Sequence, residues 1–245
     1  MADPAKSDRH CLVTGANRGL GLEFVRQLLT RGTRVVAACR HPGRAAALNL
    51  LAGEHPGRLH VLPLDVTQGR SRDELLRELP LVLDGARLDL LVNNAGVLHG
   101  GERFGQVAEA DLETSLRTNA TGPFLLTQAL APLLADAADG RSGAVVANIS
   151  SEIGSLAGRR EFRTPSYAIG KAAQNMGTAL LARALAPRGI RVVALHPGWV
   201  RTDMGGPQAS QAVDAAVAAL LRVIDGLGAD DSGRFYDGEG RQLPW

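Results

Sequence analysis

Short, unbroken apolar runs alternate with longer stretches of helical periodicity along the whole of this chain, and that alternation restricts its fold more than any other feature. The runs VVAA, LLVN, AVVANI and VVAL are nearly free of polar interruption. A strand that is apolar at every position must be covered on both faces, which is what helices do on the two sides of a parallel sheet. Strands are expected over 10–14, 33–39, 59–64, 88–93, 144–150 and 190–196, with a last one around 234–236. Helices are expected over 19–30, 44–53, 72–83, 109–135, 165–186 and 211–227. Strand and helix taking turns in this way build βαβ units. No internal repeat, low-complexity tract or Pro/Ser-rich linker offers a boundary, so 10–245 reads as a single domain behind a short tail over 1–9. The expected fold class is α/β, a doubly wound parallel sheet of about seven strands flanked by helices.

Composition removes several classes of function. No stretch approaches the roughly 20 apolar residues of a membrane helix, and the opening MADPAKSDRH lacks the apolar core of a signal peptide, so a cytoplasmic location is expected. Two cysteines, Cys11 and Cys39, are too few for a disulfide framework or a zinc site, and no metal is expected. The 27 basic and 25 acidic side chains are dispersed with no basic run, which argues against nucleic-acid binding.

Sheets of this kind bind ligands beyond the carboxyl ends of their strands. After the first strand comes TGANRGLG, Thr14 to Gly21, leading straight into a helix. Gly15, Gly19 and Gly21 let the backbone turn tightly and approach a phosphate, with Asn17, Arg18 and Leu20 between them and the helix N-terminus supplying free N–H groups. A Gly-rich turn alone is weak evidence, since such loops also occur without a ligand. Dinucleotide sites for NAD place an acid at the end of the second strand, about 20 residues beyond the glycines. Here Cys39 stands in that place and Arg40 follows it. Arg18 and Arg40 would bracket a ribose 2′-phosphate, so the expected cofactor is NADP(H). A single Arg in this Arg-rich chain is more often a solvated surface residue; two at these places, with no acid, favour the phosphate.

Lysine and tyrosine are scarce: the chain has only Lys6 and Lys171, and only Tyr167 and Tyr236. Chance would put some Lys four residues after some Tyr in under about 2% of such chains. Tyr167 and Lys171 have that spacing. Thr164 and Pro165 read as an N-cap and first helical residue, which puts the pair on one face of a helix. A phenol with a reference pKa near 10 is biased toward its anion by a neighbouring ammonium. Such a phenol gives a proton to a carbonyl oxygen in reduction and takes it back in oxidation. The plainer alternative is an amphipathic pair on a surface helix.

The spacing TGxxxGxG, the NNAG of Asn93 to Gly96 and the YxxxK of Tyr167 together resemble the short-chain dehydrogenase/reductase family over nearly the whole chain. Within it, HPGWVRTDMGG and the ending GEGRQLPW are most similar to C-factor and sniffer-like carbonyl reductases. The resemblance implies a Rossmann-type domain with a catalytic set of Asn119, Ser151, Tyr167 and Lys171. Asn119 would hold a water beside the lysine, or brace a helix kink. Ser151 would position the substrate carbonyl, with adjacent Ser150 its rival, since neighbours on a strand face opposite ways. Asp65 would accept from the adenine amino group, next to Val66, or form an Asx-turn. Asn93, Ala95 and Gly96 would line the cofactor, though Asn93 also suits bracing of neighbouring strands. Lys171 reaches the nicotinamide ribose. Pro197, Gly198, Val200 and Thr202 would fix the nicotinamide, and a substrate loop over about 199–212 would present Trp199 and Met204 to the substrate. Trp199 suits plain packing equally well.

Two departures stand out. Gly170 occupies a place where many relatives have serine, removing a hydroxyl expected near the cofactor. The interval from Ser151 to Tyr167 is somewhat long and carries Arg159, Arg160 and Arg163, facing either an acidic substrate or solvent. The expected activity is NADPH-dependent carbonyl reduction. The alternatives are an NADP-binding sensor or signalling protein with little turnover, and an alcohol dehydrogenase working in oxidation. The helices over 109–135 and 165–186 carry Ala- and Leu-rich faces, and the resemblance implies that these form a two-fold interface, so a homodimer or higher homo-oligomer is expected. Trp245 would pack across that interface or close the core.

Overall fold

The computed structural model describes residues 9–138 and 142–245; residues 1–8 of the expected tail, Lys6 among them, lie outside the described residues. Seven strands form one sheet: β1 (His10–Thr14), β2 (Arg34–Cys39), β3 (Leu59–Pro63), β4 (Leu90–Asn93), β5 (Val145–Ile149), β6 (Arg191–His196) and β7 (Phe235–Asp237). Their order is β3-β2-β1-β4-β5-β6-β7, and every neighbouring pair is parallel. The helices are α1 (Gly19–Thr30), α2 (Ala46–Glu54), α3 (Gly69–Leu83), α4 (Glu109–Leu116), α5 (Gly122–Leu130), α6 (Pro165–Leu185) and α7 (Val213–Gly226).

Alternation along the strands explains why the apolar runs are unbroken. On β1, Cys11 and Val13 join one core with Phe24 and Leu28 of α1 and Val217 and Leu220 of α7. Between them Leu12 joins the other core, with Leu79 of α3, Leu126 of α5 and Leu181 of α6. The same division holds on β4, with Leu90 and Val92 against one layer and Leu91 against the other. Each large aliphatic side chain withdrawn from water in this way contributes roughly 1.5–3 kcal/mol. No helix among the described residues is long and apolar enough to cross a membrane. Trp245 closes on its own chain, stacked on Phe235 with ring centroids 5.6 Å apart.

The strand order reverses between β1 and β4, which opens a crevice beyond their carboxyl ends. Most expected elements are found within a few residues of their places. One is not continuous: the helix expected over 109–135 is α4, a π segment at Arg117–Thr121, α5 and a 3-10 turn at Ala131–Leu133. Two residues account for the break. Pro123 has no N–H to give to the carbonyl of Asn119, four residues back. A side chain at Gly122 would stand 2.9 Å from the Val66 carbonyl oxygen, so only glycine lets this turn sit against the loop after β3.

Candidate active site

The glycine turn lies at the switch point and is tied to β4. Gly15 and Gly19 take left-handed φ values of 62° and 54°, which glycine adopts without strain. A Cβ on Gly15 would lie 2.8 Å from the Ala95 Cα. The Thr14 hydroxyl accepts from the main-chain N–H groups of Asn94 and Ala95, both at 3.0 Å. The Asn94 amide donates to the carbonyls of Thr14 and Gly15 at 2.9 and 3.2 Å. Asn94 belongs to the NNAG motif, and its partners are some 80 residues away in sequence. No side chain caps α1 and no acid sits in its first turn, so its N-terminal N–H groups and dipole are open to an anion. Asn17 and Arg18 are exposed there, and Leu20 is half-buried. This cradle fits a dinucleotide pyrophosphate.

The flanking residues divide between ligand-facing and structural roles. The Asn93 amide donates to Thr127 Oγ1 at 3.0 Å and to Asn148 Oδ1 at 2.8 Å, so its side chain braces β4 against α5 and β5. Asp65 forms an Asx-turn, its Oδ1 accepting from the N–H and hydroxyl of Thr67 at 2.9 and 2.7 Å. Val66 is buried beside Gly122 of the broken helix. Arg40 is exposed at the end of β2. Arg18 is held by an ion pair with Asp203 at 2.7 Å, which ties the glycine turn to the 199–212 loop.

That loop is closed at its feet, where Gln211 donates to the Trp199 carbonyl at 3.0 Å and receives a bond from Arg201 N–H at 2.9 Å. Pro197 leads into Gly198, whose φ of 82° lets Gln211 pack against a position where any Cβ would clash. Thr202 lies beside Gly19, with its methyl 3.4 Å from where a Cβ would be. Val200 is buried, whereas Trp199 and Met204 keep 53% and 45% of their surface exposed on the rim. Trp199 is not packed into the core, and its indole N–H donates to the Gly205 carbonyl at 2.8 Å.

Helix α6 begins at Pro165 with Thr164 at its N-cap, as expected, but the Thr164 side chain does not cap it. Thr164 has a left-handed φ of 43°, makes no side-chain cap bond, and buries its hydroxyl without a partner among the described residues. Such a conformation is costly for a β-branched residue. Three residues on, Tyr167 is buried, and burial pushes its phenol up to about 12, with the Ser151 hydroxyl pulling the other way. Lys171 is 3% exposed, and burial pushes its ammonium down to about 7. Its Nζ lies 5.6 Å from the centre of the Tyr167 ring and donates to the Ile149 carbonyl at 2.6 Å and to Gln174 Oε1 at 3.0 Å. Burial is thus the largest influence on the Tyr167 phenol, with the Ser151 hydroxyl opposing it.

The two serines separate cleanly. Ser150 Oγ donates to Asn175 Oδ1 of α6 at 2.6 Å and is committed there. Ser151 faces Tyr167, and its Oγ accepts from Ile153 N–H at 3.3 Å, which leaves its own proton to point toward the phenol. Asn119 spends its side chain on the loop after β4: Oδ1 accepts from Val97 N–H, and Nδ2 donates to the Val97 carbonyl and to Ser115 Oγ, each at 2.9 Å. Gly96 joins these groups, since a Cβ there would be 3.1 Å from Asn119 Oδ1 and 3.9 Å from Lys171 Nζ.

Gly170 does not face the cofactor crevice. A Cβ there would lie 2.9 Å from Ser115 Oγ, so glycine lets α6 lie close on α4, and the neighbouring hydroxyl is supplied by Ser115. Sequence reasoning also missed an apolar rim. Phe104, 86% exposed, meets Phe162 edge to face at 5.6 Å, joining the loop after β4 to the loop before α6, where Leu156 is exposed too. Arg160 and Arg163 are exposed on the same loop, and Arg159 donates to the Arg163 carbonyl.

The arrangement has close counterparts. NADPH-bound carbonyl reductase from chicken fatty liver superposes with a TM-score of 0.91 at 39% identity, over 97% of this chain and 99% of that one. The carbonyl reductase Sniffer of Drosophila melanogaster gives 0.90 at 33%, with the same coverage. The C-signal protein of Myxococcus xanthus is 42% identical over 160 residues, 64% of this chain and 93% of that protein. A family model described as short chain dehydrogenase matches residues 9–213. Glycine turn, NNAG loop and Tyr–Lys helix stand together in one crevice because this chain belongs to the short-chain dehydrogenase/reductase family.

Proposed function

We propose that the chain is an NADPH-dependent carbonyl reductase in which Tyr167 is the proton donor. The observation that carries this is the buried Tyr167 phenol facing Ser151, with the Lys171 ammonium 5.6 Å from the centre of its ring. A protonated phenol is the form required for reduction; oxidation of an alcohol requires the phenolate. The bound dinucleotide supplies hydride to the carbonyl carbon. Ser151 donates a hydrogen bond to the carbonyl oxygen and polarises it. Tyr167 Oη gives its proton to that oxygen as negative charge develops, so the carbonyl leaves as an alcohol. Lys171 stabilises the phenolate that remains, and a water at the Asn119 main chain returns the proton from solvent.

The cofactor residues follow from the same reading. The turn from Gly15 to Gly21 takes the pyrophosphate, and Asp65 and Val66 border the adenine. Arg18 and Arg40 hold the 2′-phosphate, for which Arg18 must share or leave Asp203. Ala95, Gly96, Pro197, Gly198, Val200 and Thr202 line the nicotinamide end. Trp199 and Met204 form the substrate wall of the 199–212 loop. The exposed Ile169, Met176 and Leu180 follow one stripe of α6 and support pairing with a second copy of the chain.

The test is NADPH consumption against a panel of aldehydes, ketones and quinones. Turnover with NADPH preferred over NADH is expected. The similarity to C-signal favours one second reading, a signalling protein that binds the dinucleotide without turnover. Tight NADPH binding with no consumption against any member of the panel would replace the first reading by the second.

A further inference from the structure

Lys171 sits in a pocket that offers its charge little. From β5 it meets the Ile149 carbonyl, from α6 the Tyr167 ring and Gln174, and from the loop after β4 it meets Gly96. Gly154 of the turn at Glu152–Gly154 packs on the Lys171 main chain, and Asn119 of the π segment has spent its amide on Val97 and Ser115. Among the described residues, Tyr167 is the titratable group that faces the ammonium, and burial alone accounts for its lowered proton affinity.

Gln174 is used in an uncommon way. It is buried one turn beyond Lys171, gives its carbonyl oxygen to Nζ at 3.0 Å, and leaves its own NH₂ group without a partner among the described residues. An aliphatic side chain would fill this place without stranding a buried donor. What the amide provides instead is a charge-assisted bond to the one ammonium the mechanism uses.

We propose that Gln174 is a positioning residue for carbonyl reduction, its Oε1 keeping the Lys171 side chain protonated and aimed along α6 beneath the Tyr167 phenol. The role of Lys171 in reduction rests on the function proposed above; the contact and its effect on the lysine do not. The scarcity of lysine makes a direct test available. Biosynthetic ¹³Cε-lysine labelling of the full chain gives two resonances, Lys171 and Lys6, with Lys6 as internal reference.

In the wild type Lys171 is expected to titrate near pH 7. In Gln174→Met the midpoint falls by about one pH unit, a tenfold loss of proton affinity, because one acceptor on the ammonium is gone. In Gln174→Glu it rises, because a carboxylate favours the charged form. The alkaline fall in kcat/KM for NADPH-dependent reduction moves in the same two directions, and the Met variant regains rate at acid pH. A purely structural role would give neither the opposite shifts nor that recovery. The proposal is overturned if Lys171 keeps its wild-type midpoint in the Met variant, or if Met and Glu shift it the same way. Should the Met variant not fold, the upward shift in Gln174→Glu decides, and its absence overturns the proposal. If the wild type reduces no carbonyl, the resonance still titrates, so failure of the reductase reading is seen separately.

Discussion

The two faces of β5 are built from the same run of residues and have opposite characters. Val145, Ala147 and Ile149 point into a core shared with α1 and α7 that is made of aliphatic and aromatic side chains. On the other face Val146 is followed by Asn148 and Ser150, which donate to Thr178 and Asn175 of α6 at 2.8 and 2.6 Å. Asn93 of β4 continues this line to Thr127 of α5. Hydrogen-bonded buried polar groups add little net stability, but they fix one arrangement of the elements that carry them. One face of the sheet thus holds the fold together, and the other holds α6, with Tyr167 and Lys171, in register with the strand ends.

Lys171→Met tests the division most strongly. A fall in kcat/KM of about 10²-fold or more is expected, since the phenolate loses its partner. Stability at neutral pH is expected to hold or rise, because an apolar side chain of similar length replaces a buried charge. The sign of the pH dependence follows from linkage. The Lys171 pKa is about 7 in the folded chain and higher when unfolded, so between about pH 7 and roughly 10 the unfolded state binds the extra proton. Wild-type stability from this group is lowest below that window and recovers across it, so any advantage of the Met variant shrinks as pH rises. Denaturant titrations at the two ends of the window check this. A constant difference would contradict it.

On the apolar face, Leu220→Ala is expected to cost about 2–5 kcal/mol while leaving the rate per folded molecule unchanged. Asn148→Ala on the polar face is expected to cost less, about 1–3 kcal/mol, yet to lower that rate several-fold. Equal effects on rate from the two would erase the distinction between the faces. The smallest effect belongs to the Arg18–Asp203 pair, which is exposed and worth at most about 1 kcal/mol of stability. Asp203→Ala is expected to leave the melting temperature nearly unchanged and to tighten NADPH binding relative to NADH by freeing Arg18. Fluorescence titration with both dinucleotides measures it.

Much of this was legible in the sequence wherever the signal was local. Burial on both faces leaves unbroken apolar runs, so the sheet was readable strand by strand. The glycine turn and the Tyr167–Lys171 pair were readable because backbone need and helical spacing act within a few residues. What escaped depends on distant partners. Asn94 acts on Thr14 and Gly15, and the rim pair joins Phe104 to Phe162, contacts no spacing announces. The broken helix was missed although Gly122-Pro123 marked it, because the apolar periodicity of 109–135 runs straight through. Thr164 stands at the N-cap as its residue type suggests, but its left-handed backbone and buried hydroxyl, which makes no cap bond, were not legible. How strongly burial acts on the Tyr167 phenol was not legible either, because it depends on the elements that close over α6.

The most direct measurement is the single-turnover rate of carbonyl reduction by Tyr167→Phe, taken with NADPH affinity on the same protein. Loss of about 10²–10⁴-fold in rate, with NADPH binding held within a few-fold of wild type, is the predicted result. A Phe variant that reduces the same carbonyl at the wild-type rate would contradict the assignment of Tyr167 as the proton donor.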